Sequence, residues 1–371
     1  MTQRPALTPL AEGLPATVPF VGPEAQERAR GKRFRARIGA NESGFGPSPR
    51  VREAMARAAG EMWQYCDPEN FDLKAAIAGR LGIGAKNVVV GEGIDGLLGL
   101  IVRLFAGPGS PVVTSLGAYP TFNYHVAGFG CRLVTVPYRD DHEDLDGLLD
   151  AVLREKAPVV YFSNPDNPMG TWHEADAVSR FIEALPATTL MILDEAYNET
   201  APASAIPALD VARPNVLRMR TFSKAYGLAG LRCGYALGEE ETVRAFDKVR
   251  NHFGVNRMAQ VAALEALADP GHLEAVVAQV RDCRGRLERI AAANGLVTLP
   301  SATNFVAIDC GGDGAFALAV MQALIARDVF VRKPMAPGLD RCIRVSAGPA
   351  ADIDLFEEML PEALAAAGGG A

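Results

Sequence analysis

The sequence predicts an α/β fold, in which a large domain with a mostly parallel sheet of about seven strands is followed by a smaller α+β domain. Three observations support this prediction. Short apolar runs recur through residues 87–237, and helix-like stretches separate most of them. That alternation is typical of buried parallel strands joined by helical crossovers. After Glu240 the pattern changes to long Ala-rich and Leu-rich helices mixed with short strands. The 371 residues are enough for both domains.

The elements can be placed along the chain from their periodicity. The predicted strands of the large sheet are Asn87–Val90, Pro111–Ser115, Arg132–Pro137, Val159–Ser163, Thr189–Leu193, Val216–Thr221 and Gly234–Leu237. The helices predicted between them are Asp95–Phe105, Leu145–Glu155 and Glu174–Leu185. Further helices are expected between about Val261 and Ala293, with later strands at Asn304–Ile308, Val329–Val331 and Cys342–Ser346. We expect residues 1–45 to form an arm that joins the small domain, 46–250 the large domain and 251–371 the small domain.

Composition and charge exclude several classes of protein. The net charge of −7 gives no general attraction to nucleic acid or to an anionic membrane. No apolar run approaches the roughly 18 residues of a membrane span, and the N-terminus lacks the order of a signal peptide. The six cysteines form no CxxC pair, which predicts free thiols in a reducing cytoplasm. The five histidines show no metal-ligand spacing, so we expect no metal.

The strongest chemical signal is the segment from Thr221 to Gly234, in which a strand runs into a Ser-Lys pair. A lysine after a buried strand is costly unless it is paired or neutral, and burial lowers its pKa toward the neutral, nucleophilic form. Thr221, Ser223 and Arg232 offer hydroxyls and a guanidinium that suit a phosphate. The segment therefore predicts Lys224 as a nucleophilic amine beside a phosphate site.

This segment closely resembles the lysine motif of fold-type I aminotransferases, which use pyridoxal 5'-phosphate (PLP). Within them it is most similar to the histidinol-phosphate aminotransferase branch. The resemblance extends from Gly39 to Gly348, with the motifs in the family's order. It implies that Lys224 holds PLP as a Schiff base and that the enzyme is a homodimer.

Two further motifs follow strands of the predicted sheet. Asp194 ends an apolar strand, where ligand sites form in α/β folds. The resemblance implies that Asp194 pairs with the pyridine nitrogen and that Tyr197 bonds the phenolic oxygen of the cofactor. Asn167, in a segment similar to the family's NP-x-NPTG turn, is implied to bond the same oxygen and to face the substrate. Met169 stands where the family usually has threonine.

The segment Gly91–Gly96 matches GxGxxG, the dinucleotide fingerprint. That fingerprint also requires an acidic residue about 20 positions later for the ribose, and no Asp or Glu occurs between Asp95 and Asp140. The better interpretation is a helix N-terminus whose backbone N–H groups bind the PLP phosphate, chiefly at Gly93, Ile94 and Asp95.

Two tyrosines match aromatic positions of the family. Tyr119 matches the residue that stacks on the pyridine ring. Tyr65 matches the tyrosine that reaches across the dimer interface to the phosphate of the other subunit's PLP. Gln64 and Cys66 replace the Arg and Pro that usually flank Tyr65.

The substrate pocket is implied by residues of the small domain. Arg344 matches the arginine that binds the substrate's anionic end, Arg332 a second arginine nearby, and Asn41 the entry strand beside the substrate. Two guanidiniums suit a phosphate better than a carboxylate. Against this, Asn41–Gly46 reads Asn-Glu-Ser-Gly-Phe-Gly where many relatives read Asn-Glu-Asn-Pro-Tyr-Gly. Phe45 offers no hydroxyl to a phosphate and is expected to make the pocket mouth more apolar.

The sequence thus predicts a cytoplasmic, PLP-dependent transaminase that moves an amino group between an anionic amine, histidinol phosphate favoured, and 2-oxoglutarate. Its partners are small molecules and a second copy, with no nucleic acid and no membrane. An aromatic or broad-range amino-acid aminotransferase shares every cofactor residue, and a decarboxylase of the threonine-phosphate type uses the same scaffold. A PLP-fold regulator would need a DNA-binding domain that the short arm cannot hold. The missing ribose acid disfavours a dehydrogenase.

Overall fold

The computed structural model describes residues 4–16 and 21–368, so part of the predicted arm, residues 1–3 and 17–20, lies outside the described residues. The helices are α1 Pro9–Glu12, α2 Pro23–Arg30, α3 Pro49–Ala58, α4 Phe71–Leu81, α5 Gly93–Phe105, α6 Pro120–Gly128, α7 Leu145–Glu155, α8 Ala175–Ala184, α9 Glu240–Arg244, α10 Arg257–Leu267, α11 Pro270–Ala293, α12 Gly314–Ala326 and α13 Ala350–Gly368. The strands are β1 Ala36–Arg37, β2 Val88–Gly91, β3 Pro111–Ser115, β4 Arg132–Val136, β5 Val159–Ser163, β6 Leu190–Asp194, β7 Val216–Thr221, β8 Gly234–Leu237, β9 Val297–Thr298, β10 Phe305–Asp309, β11 Val329–Phe330 and β12 Cys342–Ser346.

The large sheet has the predicted seven strands, in the order β2-β8-β7-β6-β5-β3-β4. Strands β3 to β7 are parallel to one another, whereas β8 is antiparallel to both β2 and β7. Every residue of β5, β6 and β7 is buried, as expected for parallel strands covered by helices on both faces. The predicted fold class is confirmed. The parallel strands bring the carboxyl ends of β5, β6 and β7 to one edge.

The core lies on both faces of this sheet because successive strand residues point to opposite sides. In β5, Val159 and Tyr161 belong to the cluster under α5. Val160 and Phe162 belong to the cluster under α7 and α8. No helix within the described ranges is long and apolar enough to cross a membrane.

The smaller domain contains an antiparallel sheet in the order β12-β10-β9 and a parallel pair of β1 with β11. Its core cluster includes residues of α11, α12 and α13 together with Ala36 and Ile38 from the N-terminal segment. The end of the predicted arm is therefore built into the small domain by strand pairing and by burial.

The predicted division at residue 250 can be compared with the packing of α10 and α11. Val255, Ala259 and Ala262 share a buried cluster with Val51 and Leu73 of the large domain. In α11, Val276 belongs to the small-domain cluster and Val277 packs against the large-domain one, and from Val280 onward the buried residues all belong to the small-domain cluster. We therefore propose that the chain passes between the domains within the first two turns of α11, later than the predicted boundary.

A buried ion triad joins β6 to β7 beside the predicted site. Glu195 accepts a hydrogen bond at 3.0 Å from Arg218 Nε and another at 3.0 Å from Arg220 Nε. A second contact from Arg218 Nη2 reaches the other carboxylate oxygen. The three side chains are almost fully buried. Removing one partner from such a group leaves buried charge uncompensated, which is more costly than losing an exposed ion pair.

The substitution Glu195→Gln should lower the free energy of unfolding by roughly 3–5 kcal/mol, since it keeps the shape but removes the carboxylate that pairs with both buried guanidiniums. Urea denaturation at one fixed protein concentration measures this loss. The matched control is Glu241→Gln, which breaks the exposed pair with Arg244 and should cost at most about 1 kcal/mol. Equal losses for the two variants would contradict the assigned role of the triad.

Candidate active site

A cleft of about 580 Å³, open mouth included, lies where β5, β6 and β7 end and α5 begins. This is the edge at which ligand sites of α/β folds form. The structure brings ten of the predicted residues together there. They are Ile94, Asp95, Tyr119, Asn167, Asp194, Tyr197, Thr221, Ser223, Lys224 and Arg232. The remaining lining residues, which sequence reasoning did not single out, are Tyr161, Ser163, Pro165 and Ala196.

Lys224 follows β7 and extends into the cleft. Its Nζ donates a hydrogen bond at 3.1 Å to the backbone oxygen of Asn41 and lies 5.6 Å from the centre of the Tyr197 ring. Loss of solvation on burial, followed by the charges of Arg344 and Arg232, lowers the pKa of Lys224 to about 8. A substantial part of this amine is therefore neutral at mildly alkaline pH, the form that attacks an aldehyde.

Asp194 is the last residue of β6 and is buried. One carboxylate oxygen accepts a hydrogen bond at 2.7 Å from the hydroxyl of Tyr161, and the other accepts one at 2.9 Å from the backbone N–H of Ala196. Burial raises the pKa of Asp194 to about 6, although both hydrogen bonds oppose the rise. Both donors are neutral, so among the described residues this carboxylate has no cationic hydrogen-bond partner. It is suited to receive a cationic group of a ligand.

Tyr161 is the main site residue that sequence reasoning missed. It is the single hydroxyl-bearing ring in β5, and its ring stacks on Phe122 at 4.7 Å between centres. A buried tyrosine hydroxyl needs a hydrogen-bond partner. In the parallel register Ser163 lies opposite Asp194, two residues beyond Tyr161. A tyrosine two positions before the end of a buried strand, next to a strand ending in aspartate, is the signal that could have revealed this pair.

An anion cradle forms where α5 begins. Gly93 has a φ of 73°, and a Cβ at this position would lie 2.5 Å from Nη2 of Arg232. The guanidinium of Arg232 also approaches the hydroxyl of Ser223 at 3.4 Å, and the backbone N–H of Ser223 donates to Thr221 Oγ1 at 3.0 Å. Since a helix N-terminus offers unpaired N–H groups and a positive dipole, the cradle fits a phosphate.

The two predicted aromatic residues occupy different places. Tyr119 lines the cleft, and burial raises the pKa of its hydroxyl to about 12, so the ring is neutral and available for stacking. Tyr65 lies outside this cleft. It is 81% exposed and contacts the ring of Phe253 at 4.9 Å between centres.

Asn41 connects the two domains at the cleft. Its side-chain amide donates to the hydroxyl of Tyr197 at 2.9 Å, and its backbone N–H donates to Ser346 Oγ at 3.0 Å. Its backbone oxygen accepts both Lys224 Nζ and the side-chain amide of Asn304, each at 3.1 Å. Asn304 was not foreseen from the sequence. These contacts place Asn41 against Lys224 and Tyr197.

The two predicted arginines lie side by side in the small domain. Neither is among the residues that line the cleft, which Arg344 reaches through its contact with Asn167. Arg332 and Arg344 exchange backbone hydrogen bonds of 3.3 and 2.6 Å. Arg344 donates at 2.6 Å to the side-chain oxygen of Asn167. Arg332 contacts the backbone oxygen of Val21 in the arm. Burial, and next the charge of Arg344, lower the pKa of Arg332 to about 10. Two neighbouring cations favour an anion between them.

Phe45 does not have the predicted effect on the pocket mouth. It is half-buried and packs against the core cluster of the small domain, and it is not among the lining residues of the cleft. An apolar side chain can satisfy its hydrophobic preference in the core, and this one does so there. The substitution of tyrosine by phenylalanine therefore gives no support to an apolar substrate.

Comparisons with known proteins agree with this geometry. Residues 37–360 match the family model for aminotransferase class I and II. The chain is 38% identical over 336 residues to histidinol-phosphate aminotransferase 1 of Mesorhizobium japonicum, covering 89% of this chain and 90% of that protein. The solved histidinol-phosphate aminotransferase of Sinorhizobium meliloti, in complex with pyridoxal-5'-phosphate, is 56% identical with a TM-score of 0.95, over 98% of this chain and 99% of the other. The L-threonine-O-3-phosphate decarboxylase of Porphyromonas gingivalis has a TM-score of 0.75 at 19% identity over 89% of this chain and 99% of the other, a likeness that shows the fold alone.

Lys224 should react with a small aldehyde at a lower pH than an ordinary lysine. With a pKa of about 8, against about 10.4 for a free lysine side chain, half of the amine is neutral near pH 8. Reductive methylation of the ligand-free protein with formaldehyde and cyanoborohydride, followed by peptide mass spectrometry over a pH series, should give that midpoint. Lys224→Arg provides the blank for the peptide. A midpoint at the free-lysine value would show that the cleft does not perturb this amine.

Proposed function

We propose that this chain, which belongs to the aminotransferase class I and II family, is a PLP-dependent transaminase. Its proposed amino donor is histidinol phosphate, and its proposed amino acceptor is 2-oxoglutarate. The observation that carries the proposal is the placement of a lysine with a lowered pKa, a buried carboxylate without a cationic partner and an anion cradle around one cleft. The names of the relatives support the choice of substrate.

The chain's residues fit PLP at four points. The cradle of Gly93 and Arg232 suits its phosphate, and the carboxylate of Asp194 suits its pyridine nitrogen. Tyr197 and Asn167, which line the same cleft, are proposed to hydrogen-bond its phenolic oxygen, and Tyr119 is proposed to stack on the ring. When bound, PLP supplies an aldehyde that captures amines and a ring that withdraws electrons from the amine's Cα.

Lys224 is proposed as the covalent anchor and as the proton carrier. Once an amine substrate has displaced it, its Nζ is free to take the proton from the substrate's Cα and later to return it. General acid–base catalysis is most efficient when the pKa of the group lies near the working pH, and the lowered pKa of Lys224 meets that condition. The hydrogen bond to Asn41 restricts where the amine can move.

Asp194, Tyr197 and Asn167 are proposed to control the electronic state of the ring. A buried carboxylate next to the pyridine nitrogen favours the protonated ring, which is the stronger electron acceptor. Tyr197 is buried, and its pKa is raised far above the ordinary value by that burial, so it acts as a hydroxyl donor.

Substrate choice is proposed to depend on the arginine pair. A phosphate carries close to two negative charges and three acceptor oxygens, which suit two guanidiniums, whereas a single one satisfies a carboxylate. Arg344 and Arg332 provide the two, with Asn41 beside them. The apolar side chain of Phe45, one argument for the aromatic-aminotransferase alternative, packs against the small-domain core instead.

The variant Arg332→Ala should lower kcat/KM for histidinol phosphate by an amount equivalent to roughly 1.5–3 kcal/mol, the range for a hydrogen bond to a charged group. The loss for phenylalanine should be much smaller, because it carries no phosphate. Steady-state kinetics with both donors measures the difference.

Because Arg332 also contacts the arm, the matched control is Arg30→Ala. Arg30 ties the arm helix α2 to Asp328, so its removal disturbs the arm without removing a charge from the cleft. An equal loss for both donors in Arg332→Ala would assign the residue to structure and favour a broad-range aminotransferase.

The homodimer is proposed from an exposed apolar patch. Met62, Trp63, Tyr65, Phe71 and Phe253 lie on one part of the surface, and Trp63 and Tyr65 are each 81% exposed. Large apolar side chains grouped on a surface mark an interaction site. We propose that a second copy covers this patch and receives Tyr65 at its PLP phosphate.

Mixing two impaired variants tests the shared site. If Tyr65 acts in the partner's cleft, Lys224→Ala mixed with Tyr65→Ala should regain one intact site per heterodimer, and measured turnover should rise. A mixture of Lys224→Ala with Asp194→Ala should regain none, because both residues belong to one chain's cleft. A fully active monomer in sedimentation experiments would contradict the proposal.

A cytoplasmic location is proposed from the thiols. All six cysteines are free, and five of them are buried. Unpaired cysteines persist in a reducing compartment, whereas oxidising compartments favour disulfides.

A further inference from the structure

Tyr161 is a buried residue for which the proposed mechanism gives no role. Only 1% of its surface is exposed, and its ring is fixed by stacking on Phe122 at 4.7 Å with an interplanar angle of 20°. The hydroxyl therefore has little freedom to choose a partner. It donates to Asp194 Oδ2 at 2.7 Å, within the range of hydrogen bonds to a carboxylate.

The position of this hydrogen bond separates Tyr161 from an ordinary core tyrosine. The acceptor is the carboxylate that faces the cleft, and Tyr161 itself lines the cleft. The opposite oxygen, Oδ1, is held by the backbone N–H of Ala196. Together the two donors, one on β5 and one after β6, fix the plane of the carboxylate.

Building on the proposed function, we propose that Tyr161 is a positioning residue whose hydroxyl keeps the carboxylate of Asp194 ionised and fixes its orientation. As a result the shared proton stays on the pyridine nitrogen of PLP and not on Asp194. A donor to a carboxylate stabilises its charged form and makes it a weaker competitor for a proton. Without that donor the carboxylate becomes more basic, and the proton shared with the ring moves toward Asp194. The ring then accepts electrons less well.

The charges around Asp194 are consistent with this role. Burial raises its pKa, and the like charge of Glu195 adds to the rise. The hydrogen bonds from Tyr161 and Ala196 oppose it, followed by the charge of Lys224. The hydrogen bond from Tyr161 opposes the rise in the pKa of Asp194 more than any other neighbour does. The substitution Tyr161→Phe removes this hydrogen bond.

The test is Tyr161→Phe, which keeps the stacked ring and deletes the hydroxyl. The holoenzyme is reconstituted with PLP labelled with ¹⁵N at the pyridine nitrogen, and the ¹⁵N chemical shift is recorded without substrate. In the variant the signal should move toward that of an unprotonated pyridine. Its kcat should fall on the order of ten- to a hundredfold, the range for a hydrogen bond to a charged group, with much less change in KM.

Tyr138→Phe is the matched control, because Tyr138 donates to another buried carboxylate, Asp166, also at 2.7 Å. Both variants should lose thermal stability, but only Tyr161→Phe should move the ¹⁵N signal. An unchanged signal in Tyr161→Phe, or the same shift in both variants, would overturn the proposal. Failure of the wild-type chain to bind PLP at Lys224 would instead overturn the proposed function, so the two failures are distinguishable.

Discussion

The burial of a carboxylate at the end of β6 is the constraint on which the site depends. An ionised group in the interior is unfavourable unless polar partners surround it. The neighbouring strand supplies the hydroxyl of Tyr161, and the turn after β6 supplies the N–H of Ala196. The first depends on the parallel register of β5 and β6, in which Ser163 lies opposite Asp194, and the second is a local contact within the turn. The sheet thus makes this charge tolerable and directs it into the cleft.

The distribution of charge across the cleft follows from that arrangement. The carboxylate of Asp194 and the cationic groups of Lys224 and Arg232 line the cleft, and the charge of Arg344 also acts on Lys224. Lys224 is the member of this set that can lose its charge at moderate pH, because burial and the neighbouring guanidiniums act on it in the same direction. A dianionic ligand would neutralise the excess of positive charge, and the arginines can remain charged throughout.

The sequence was sufficient for the strands and for the residues that end them. Apolar runs bounded by turns reveal β5, β6 and β7. Polar residues at or soon after the ends of such runs, such as Asp194 and Asn167, must meet at one edge of a parallel sheet. Contacts between strands were harder to foresee, because the periodicity that places Tyr161 in the core does not show which acceptor its hydroxyl reaches. Asn304 and the contact of Arg332 with Val21 depend on the packing of distant segments. The predicted division at residue 250 was placed by composition, whereas the packing of α10 depends on its contacts with α3.

Position 41 illustrates how narrow the range of acceptable side chains can be at one residue. Asn41 has a φ of 55°, a left-handed conformation that asparagine tolerates better than most residues other than glycine. The same residue must offer an amide to Tyr197 and present its backbone oxygen to Lys224. Glycine would satisfy the backbone and lose the amide, and glutamine would keep the amide group on a chain one carbon longer at a higher conformational cost. A replacement at this position must therefore meet two independent requirements at once, a left-handed backbone and an amide within reach of Tyr197.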